Sequence, residues 1–186
     1  MNEPDNDNPA YKAGELPNKA EVTLQLLKQE WKWARAARPS QPLASGVWKG
    51  NWSSDADLSE MQRFQLENSD VITFHSYEPP EMMKQRINSL RRYQRPVLCT
   101  EYMARPLGST FATILALQKE ANVGAYNWGF VNGKSQTIYS WDSWEKPYTA
   151  EPTVWFHDIF LQSGEPYDPK EVLLIRQLTD QSSLRK

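Results

Sequence analysis

Four residues with chemically useful side chains recur at nearly equal intervals between residues 48 and 128 of this chain. Trp48, His75, Glu101 and Trp128 are separated by 27, 26 and 27 residues, and each lies at or just after the end of a short apolar run. A polar stretch of helical character follows each run. This pattern is typical of a repeated strand–helix unit in which every strand delivers one functional side chain from its C-terminal end.

The apolar runs predict four strands, at residues 43–48, 71–77, 96–102 and 123–128. Helices are predicted at residues 18–37, with Asn18 as N-cap, and at 56–67, 80–93, 109–121, 153–161 and 169–179. Loops are predicted at 5–17, 49–55 and 129–152, and a frayed tail at 181–186.

The predicted strands are near-continuous apolar runs, which indicates a parallel sheet covered by helices on both faces. Units of about 26 residues favour a (β/α)8 TIM barrel, but four strands make only half of one. We therefore expect an α/β fold, a partial barrel containing roughly strands five to eight and the tip of strand four, in one domain over residues 1–180. A four-stranded open sheet is the structural alternative.

Composition narrows the classes of function. The 186 residues are 39% hydrophobic with a net charge of −2, so no basic stripe points to nucleic acid. No apolar run approaches the roughly 20 residues of a membrane helix. Two histidines and one cysteine show no metal-ligand spacing, and no phosphate-binding glycine loop is present, so we predict no metal and no cofactor. The acidic, polar opening MNEPDNDNPA predicts no signal peptide.

Glu101 is the first candidate for catalysis because it ends a buried strand, where a carboxylate is costly unless solvated or hydrogen-bonded. At the C-terminal face of a barrel the reason is usually catalytic, whereas a solvated or salt-bridged strand-end glutamate is the structural alternative. Glu3, taken alone, reads as a disordered terminal acid. His75 and Tyr77 each have a structural alternative too, as a core imidazole and a strand-end packing residue.

The chain is rich in aromatic residues, with eight Trp and eight Tyr. Tryptophan fills cores and also stacks on sugar rings. Those at strand ends or in loops are candidate sugar platforms, with Trp48 first and then Trp52, Trp141 and Trp144. Those on predicted helices are expected to be core or packing residues, namely Trp31, Trp33 and Trp155. Lys134 and Gln136 are candidate contacts for substrate hydroxyls, and His157, on a predicted helix, has no assigned role.

Several of these residues together carry a resemblance. Asn2-Glu3-Pro4, His75-Ser76-Tyr77, the strand-end Glu101 and Trp128 within YNWGF occur in an order and spacing that resemble the retaining glycoside hydrolases of clan A. These enzymes are (β/α)8 barrels that include family 5, with cellulase- and xylanase-type members. The resemblance covers about residues 1–179.

The resemblance implies hydrolysis of a β-linked oligo- or polysaccharide by double displacement. In that mechanism two carboxyl groups lie about 5–5.5 Å apart across the glycosidic bond. Glu101 would be the nucleophile and Glu3 the general acid and base. Asn2 would hydrogen-bond the sugar 2-hydroxyl.

The other matched residues would support this pair. Tyr77 would donate a hydrogen bond to Glu101, and His75 would position Glu3 or a sugar hydroxyl. Trp128 would stack under the sugar ring. The sugar, the linkage and endo or exo action depend on loops from both halves of a barrel, so they stay open.

The chain also departs from clan A. The arginine near strand two and the histidine near strands three to four are missing, and Met1 stands where relatives end strand four. We expect a fragment of a longer enzyme, whose polymeric substrates imply export to the periplasm or the medium. The alternatives are a homodimer that closes a ring from two half-barrels, and an inactive remnant that at most binds carbohydrate.

Overall fold

The computed structural model describes residues 1–6 and 14–180 of the chain. The predicted tail at 181–186 and part of the predicted loop at 5–17 lie outside these residues. The described residues form a mixed α/β fold with a three-stranded parallel sheet, in the order β1-β2-β3. Its helices are all too short or too polar to cross a membrane, as far as the described residues extend.

The strands are β1, Ile72–His75; β2, Val97–Glu101; and β3, Gly124–Ala125. The helices are α1, Lys19–Ala36; α2, Glu60–Asn68; α3, Pro80–Arg91; α4, Ala116–Glu120; and α5, Pro169–Thr179. A π-helical segment, Phe111–Leu115, leads into α4, and short 3₁₀ helices lie at Asp55–Asp57, Arg105–Leu107 and Trp141–Trp144. Five of the six predicted helices and three of the four predicted strands are thus confirmed, the strands at shorter lengths.

The chain folds into two compact units that interleave along the sequence. The first contains Met1–His75 and Arg86–Leu98, and the second contains Ser76–Gln85 and Cys99–Lys186. Strand β2 passes from the first unit into the second between Leu98 and Cys99.

In the first unit, α1 packs against α2 through apolar side chains. Leu24 and Leu27 of α1 and Met61 of α2 are almost completely buried. Trp31 meets Phe64 edge to face, with ring centroids 5.9 Å apart. This contact sets which side of α1 faces the protein.

The predicted packing role is wrong for Trp33, whose side chain is 61% exposed, and the apolar side chain of Val22 is 43% exposed as well. Successive helical residues are about 100° apart around the axis. Val22 lies two residues before Leu24, and Trp33 two residues after Trp31, so both turn away from α2. Asn18 occupies the N-cap position as predicted, but its side chain makes no capping hydrogen bond.

The strand predicted at 43–48 is reduced to a single parallel bridge between Val47 and Phe74. The Val47 N–H donates to the Thr73 carbonyl at 3.1 Å, and the His75 N–H donates to the Val47 carbonyl at 3.0 Å. A Cβ atom at Gly46 would lie 2.9 Å from Thr73 Oγ1 and 3.3 Å from the Thr73 carbonyl oxygen, so a larger residue here would require Thr73 to shift.

In the second unit, Arg105 connects α5 to the segment that precedes it. Its Nε and Nη2 atoms donate to the two carboxylate oxygens of Glu171 at 2.9 and 2.6 Å. Its guanidinium also donates to the carbonyls of Trp155 and Asp158 and lies over the ring of Tyr167. The pair is largely buried, and the Arg105 guanidinium makes four hydrogen bonds, which offset much of the cost of removing the two charges from water.

Cys99, the single cysteine, lies inside β2 and is fully buried. Burial raises the pKa of its thiol to about 12. The Sγ atom donates to the Glu101 carbonyl at 3.3 Å. The thiol is therefore protonated at neutral pH and packs as a small apolar side chain.

Residues 153–161 do not form the predicted helix. The Phe156 N–H donates to the Ile138 carbonyl at 2.8 Å, and the His157 N–H donates to the Thr137 carbonyl at 3.1 Å. Because these amides bond to a distant part of the chain, they cannot form the local bonds of a helix. The apolar spacing that predicts a helix here reflects burial of an irregular segment instead, so tertiary contacts outweigh the local pattern.

The buried ion pair gives a stability prediction. We expect Arg105→Ala to lower the free energy of unfolding by about 3–5 kcal/mol, since it leaves the Glu171 carboxylate buried without its partner. Chemical denaturation followed by circular dichroism measures this change. The matched control is Arg63→Ala, because Arg63 pairs with Glu67 at 3.7 Å with both side chains well exposed. Its expected cost is below about 1 kcal/mol, and similar costs for both variants would contradict the prediction.

Candidate active site and aromatic cavity

Glu3 and His75 form a pair in the first unit. His75 ends β1 and is buried, and its Nδ1 atom lies 2.8 Å from Oε1 of Glu3. The Asn6 amide donates to Oε2 of Glu3 at 2.7 Å. Glu3 has a positive φ of 38°, an uncommon conformation for a residue with a side chain. Both oxygens of Glu3 are therefore held in place, although it lies three residues into the chain.

Trp48 also lies in the first unit and is half-buried. Its Nε1 atom donates to Oδ1 of Asp5 at 2.7 Å, and the Lys49 ammonium lies 4.9 Å from the ring centroid. The ring is thus fixed on one side by charged neighbours. Asn2 is exposed and immediately precedes Glu3 in the chain.

Trp52, another predicted sugar platform, is a core residue. Its side chain is fully buried, the Phe74 ring meets it edge to face, and the Arg86 guanidinium lies 4.3 Å from its ring centroid. With no accessible ring face it cannot stack on a sugar, so that prediction is wrong.

Glu101 and Tyr77 form a second pair, in the second unit. Glu101 is the last residue of β2 and is partly exposed. The Tyr77 hydroxyl donates to Oε2 of Glu101 at 2.8 Å, the contact that the resemblance implies. The Ser76 N–H donates to the Glu101 carbonyl at 3.0 Å, so the backbones of the two segments are joined here as well. Together these bonds fix the direction of the carboxylate.

Tyr77 is held between two other rings. Trp141 meets it edge to face with centroids 5.0 Å apart, and His157 lies tilted against it at 5.4 Å. Trp141 in turn contacts Phe156 at 5.0 Å. Because these rings come from the predicted long loop and the segment after it, that part of the chain restrains the tyrosine that contacts Glu101.

His157 is the site residue that the sequence did not assign. Its Nδ1 atom hydrogen-bonds the carbonyl of Met103, a buried residue with a positive φ of 88°. Burial is the main reason that the pKa of His157 is lowered to about 4; the bond to Met103 opposes the shift and the charge of Arg105 adds to it. The imidazole is neutral at pH 7, with its proton on Nδ1, because a carbonyl only accepts. No local sequence pattern predicts that His157 is buried against Tyr77.

A cavity of about 400 Å³ opens in the second unit. Its wall is largely aromatic, formed by Trp128, Tyr139, Trp141, Trp144 and Tyr148. Trp128 is 45% exposed, so its ring is accessible to a ligand. Of the tryptophans that the sequence offered as platforms, the second unit thus brings Trp128, Trp141 and Trp144 to one cavity.

The polar groups of the cavity are neutral. They come from Ser135, Gln136, Thr137, Ser143 and His157. Hydroxyl and amide groups beside aromatic rings suit a ligand that carries many hydroxyls and has apolar ring faces. Gln136, a predicted hydroxyl contact, lines the cavity, and Lys134 does not.

The side chains that could serve as metal ligands are Glu3 and His75 in the first unit and Glu101 in the second. Within either unit taken alone, fewer than three such groups come together among the described residues. No family model and no curated protein matches this chain.

The lowered pKa of His157 has a consequence for stability. In the unfolded chain its pKa is near the ordinary 6.5, so between about pH 4 and 6.5 the unfolded state binds a proton that the folded state does not. This contribution is present above pH 6.5 and is lost as the pH falls toward 4. We expect thermal unfolding midpoints measured between pH 7 and 4 to fall less steeply for His157→Gln than for the wild type. Parallel curves would show that His157 is protonated equally in both states.

Proposed function

We propose that this chain carries the C-terminal half of a retaining glycoside hydrolase of the clan A type, built on strands five to eight of a (β/α)8 barrel. The observation that carries the proposal is the hydrogen bond from Tyr77 to the strand-end carboxylate of Glu101, in the unit that also contains the aromatic, uncharged cavity. The Tyr77 ring connects this carboxylate to the cavity wall through its contacts with Trp141 and His157, and a carboxylate fixed near a sugar-binding wall is what glycosyl transfer to an enzyme needs.

In the first step, a carboxylate oxygen of Glu101 attacks the anomeric carbon of a β-linked sugar. The bond to the glycosidic oxygen breaks as that oxygen takes the proton of the Glu3 carboxyl group, which leaves a glycosyl ester on Glu101. Tyr77 keeps the attacking carboxylate oriented through its hydrogen bond. Its clamped ring makes that orientation available before substrate binds.

In the second step, Glu3 accepts a proton from water as the water oxygen attacks the anomeric carbon. The ester bond to Glu101 breaks, and the product keeps the β configuration. His75 and Asn6 hold the two oxygens of Glu3, which must give and then take a proton at one position. Asn2 contacts the 2-hydroxyl and Trp128 stacks on the sugar ring.

A second candidate, from a different class of protein, is a carbohydrate-binding half-barrel without turnover. The observation that favours it is that the aromatic cavity lies wholly within the second unit. Such a cavity can bind saccharide without any contribution from Glu3.

Turnover of aryl β-glycosides separates the two candidates. We expect the wild-type chain to release the aryl group from at least one of the glucoside, xyloside, mannoside and cellobioside. Glu101→Ala should reduce this rate to background, because the covalent step is lost. Azide should restore release through the vacated space and yield an α-glycosyl azide, since it attacks from the side that the carboxylate occupied.

Glu81→Gln is the matched control, since it removes an exposed glutamate of α3. Its rate should equal that of the wild type. Saccharide binding by the wild type without turnover of any of the four glycosides would favour the binding module instead. Turnover that survives in Glu101→Ala without azide would exclude Glu101 as the nucleophile.

The role of Glu3 has a separate test. Glu3→Ala should slow hydrolysis of unactivated oligosaccharides far more than formation of the ester from dinitrophenyl glycosides, whose leaving group needs no proton. Burst kinetics measures the two steps separately. Equal losses on both kinds of substrate would assign Glu3 a structural role in place of acid–base catalysis.

A further inference from the structure

The 3₁₀ helix Trp141–Trp144 places two tryptophans on one wall of the cavity. In a 3₁₀ helix, residues i and i+3 lie one above the other, about 6 Å apart along the axis at a rise of about 2.0 Å per residue. Trp141 and Trp144 therefore face the same side. This spacing presents two ring surfaces in succession along the wall.

The two tryptophans differ in their surroundings. Trp141 contacts the rings of Tyr77, Phe156 and His157, so its ring already packs against other side chains of the protein. Trp144 is 62% exposed and contacts no other aromatic ring in the described part of the chain. Its ring face is thus open to a ligand, whereas that of Trp141 is restrained.

The helix that carries Trp144 is also held through Asp142. The Asp142 carboxylate accepts hydrogen bonds from the hydroxyls of Ser140 and Tyr148, and these bonds lower the pKa of Asp142. Tyr148 also meets Tyr139 edge to face at 5.2 Å. Because the Asp142 carboxylate is held in this way, the backbone beneath Trp144 is ordered before a ligand arrives, which reduces the entropic cost of binding.

We propose that Trp144 is the platform of a distal sugar subsite, and that it makes the cavity prefer chains of several uncharged sugar residues over single sugars. The proposal rests on the glycoside hydrolase function for the identity of the ligand, but it concerns binding alone. A volume of about 400 Å³ is within the range of roughly 300–1,000 Å³ typical of ligand sites, and the neutral wall offers an acidic sugar no ion pair.

The test measures affinity against chain length. Gluco-, xylo- and manno-oligosaccharides with β-1,4 links and one to four sugar residues are titrated calorimetrically into Glu101→Gln protein, in which hydrolysis is blocked. We expect Trp144→Ala in this background to weaken binding of the tetrasaccharide about tenfold, the size of a lost stacking contact, and that of the monosaccharide less than twofold. Trp144→Phe should restore part of the affinity for the tetrasaccharide.

Trp33→Ala is the matched control, because Trp33 is as exposed as Trp144 but lies on α1 in the first unit. It should leave every affinity unchanged. Equal weakening at all chain lengths, or none, in Trp144→Ala overturns the distal subsite. No saturable binding in any of the three series also overturns it, as does tighter binding of tetramethylammonium, which would indicate an aromatic cage for a quaternary amine.

The experiment distinguishes failure of this inference from failure of the proposed function. Length-dependent binding through Trp144 without turnover in the wild type retains the subsite and rejects the hydrolase. Turnover whose dependence on chain length is the same in wild type and Trp144→Ala retains the hydrolase and rejects the subsite.

Discussion

Burial of the parallel strands is the constraint on which the candidate site depends. The buried side chains within β1 and β2 are apolar, such as Ile72, Phe74 and Val97, and the imidazole and carboxylate groups lie where a strand ends. His75 and Glu101 occupy those ends, and each has a specific partner, Glu3 and Tyr77 respectively. A strand end therefore provides a position for a charged side chain, and its rigid backbone keeps that side chain in a fixed orientation.

This constraint explains why the sequence predicts strands and helices well and irregular segments poorly. Local apolar spacing indicates both a buried strand and the helix that follows it. For this reason β1, β2 and α1 lie close to their predicted positions. The segment 153–161 carries helical spacing too, but its amides bond to residues 137 and 138, and no local pattern records a partner so far along the chain. The strand predicted at 43–48 is reduced to one bridge between Val47 and Phe74, and local apolar spacing does not record how far two segments pair.

The residues of the candidate site differ in the same way in how well the sequence predicts them. The pairing of Tyr77 with Glu101 is predicted by the resemblance to clan A hydrolases, which rests on the order of the strand-end residues, and the structure contains this hydrogen bond. The sequence does not indicate which tryptophan is buried, since Trp52 and Trp144 both lie in predicted loops and yet differ completely in exposure. The sequence predicts a helix at His157 and indicates no role for it, because its contact with Tyr77 joins residues that are 80 positions apart.

The state of Cys99 has a practical consequence for studying the molecule. The chain has one thiol, and that thiol is buried and protonated at neutral pH, so alkylating reagents have little thiolate to attack. A cysteine introduced at Ser143, on the cavity wall, would then be the single reactive sulfur. A fluorophore or spin label attached there would report on loop motion and on ligand entry without removal of the native residue.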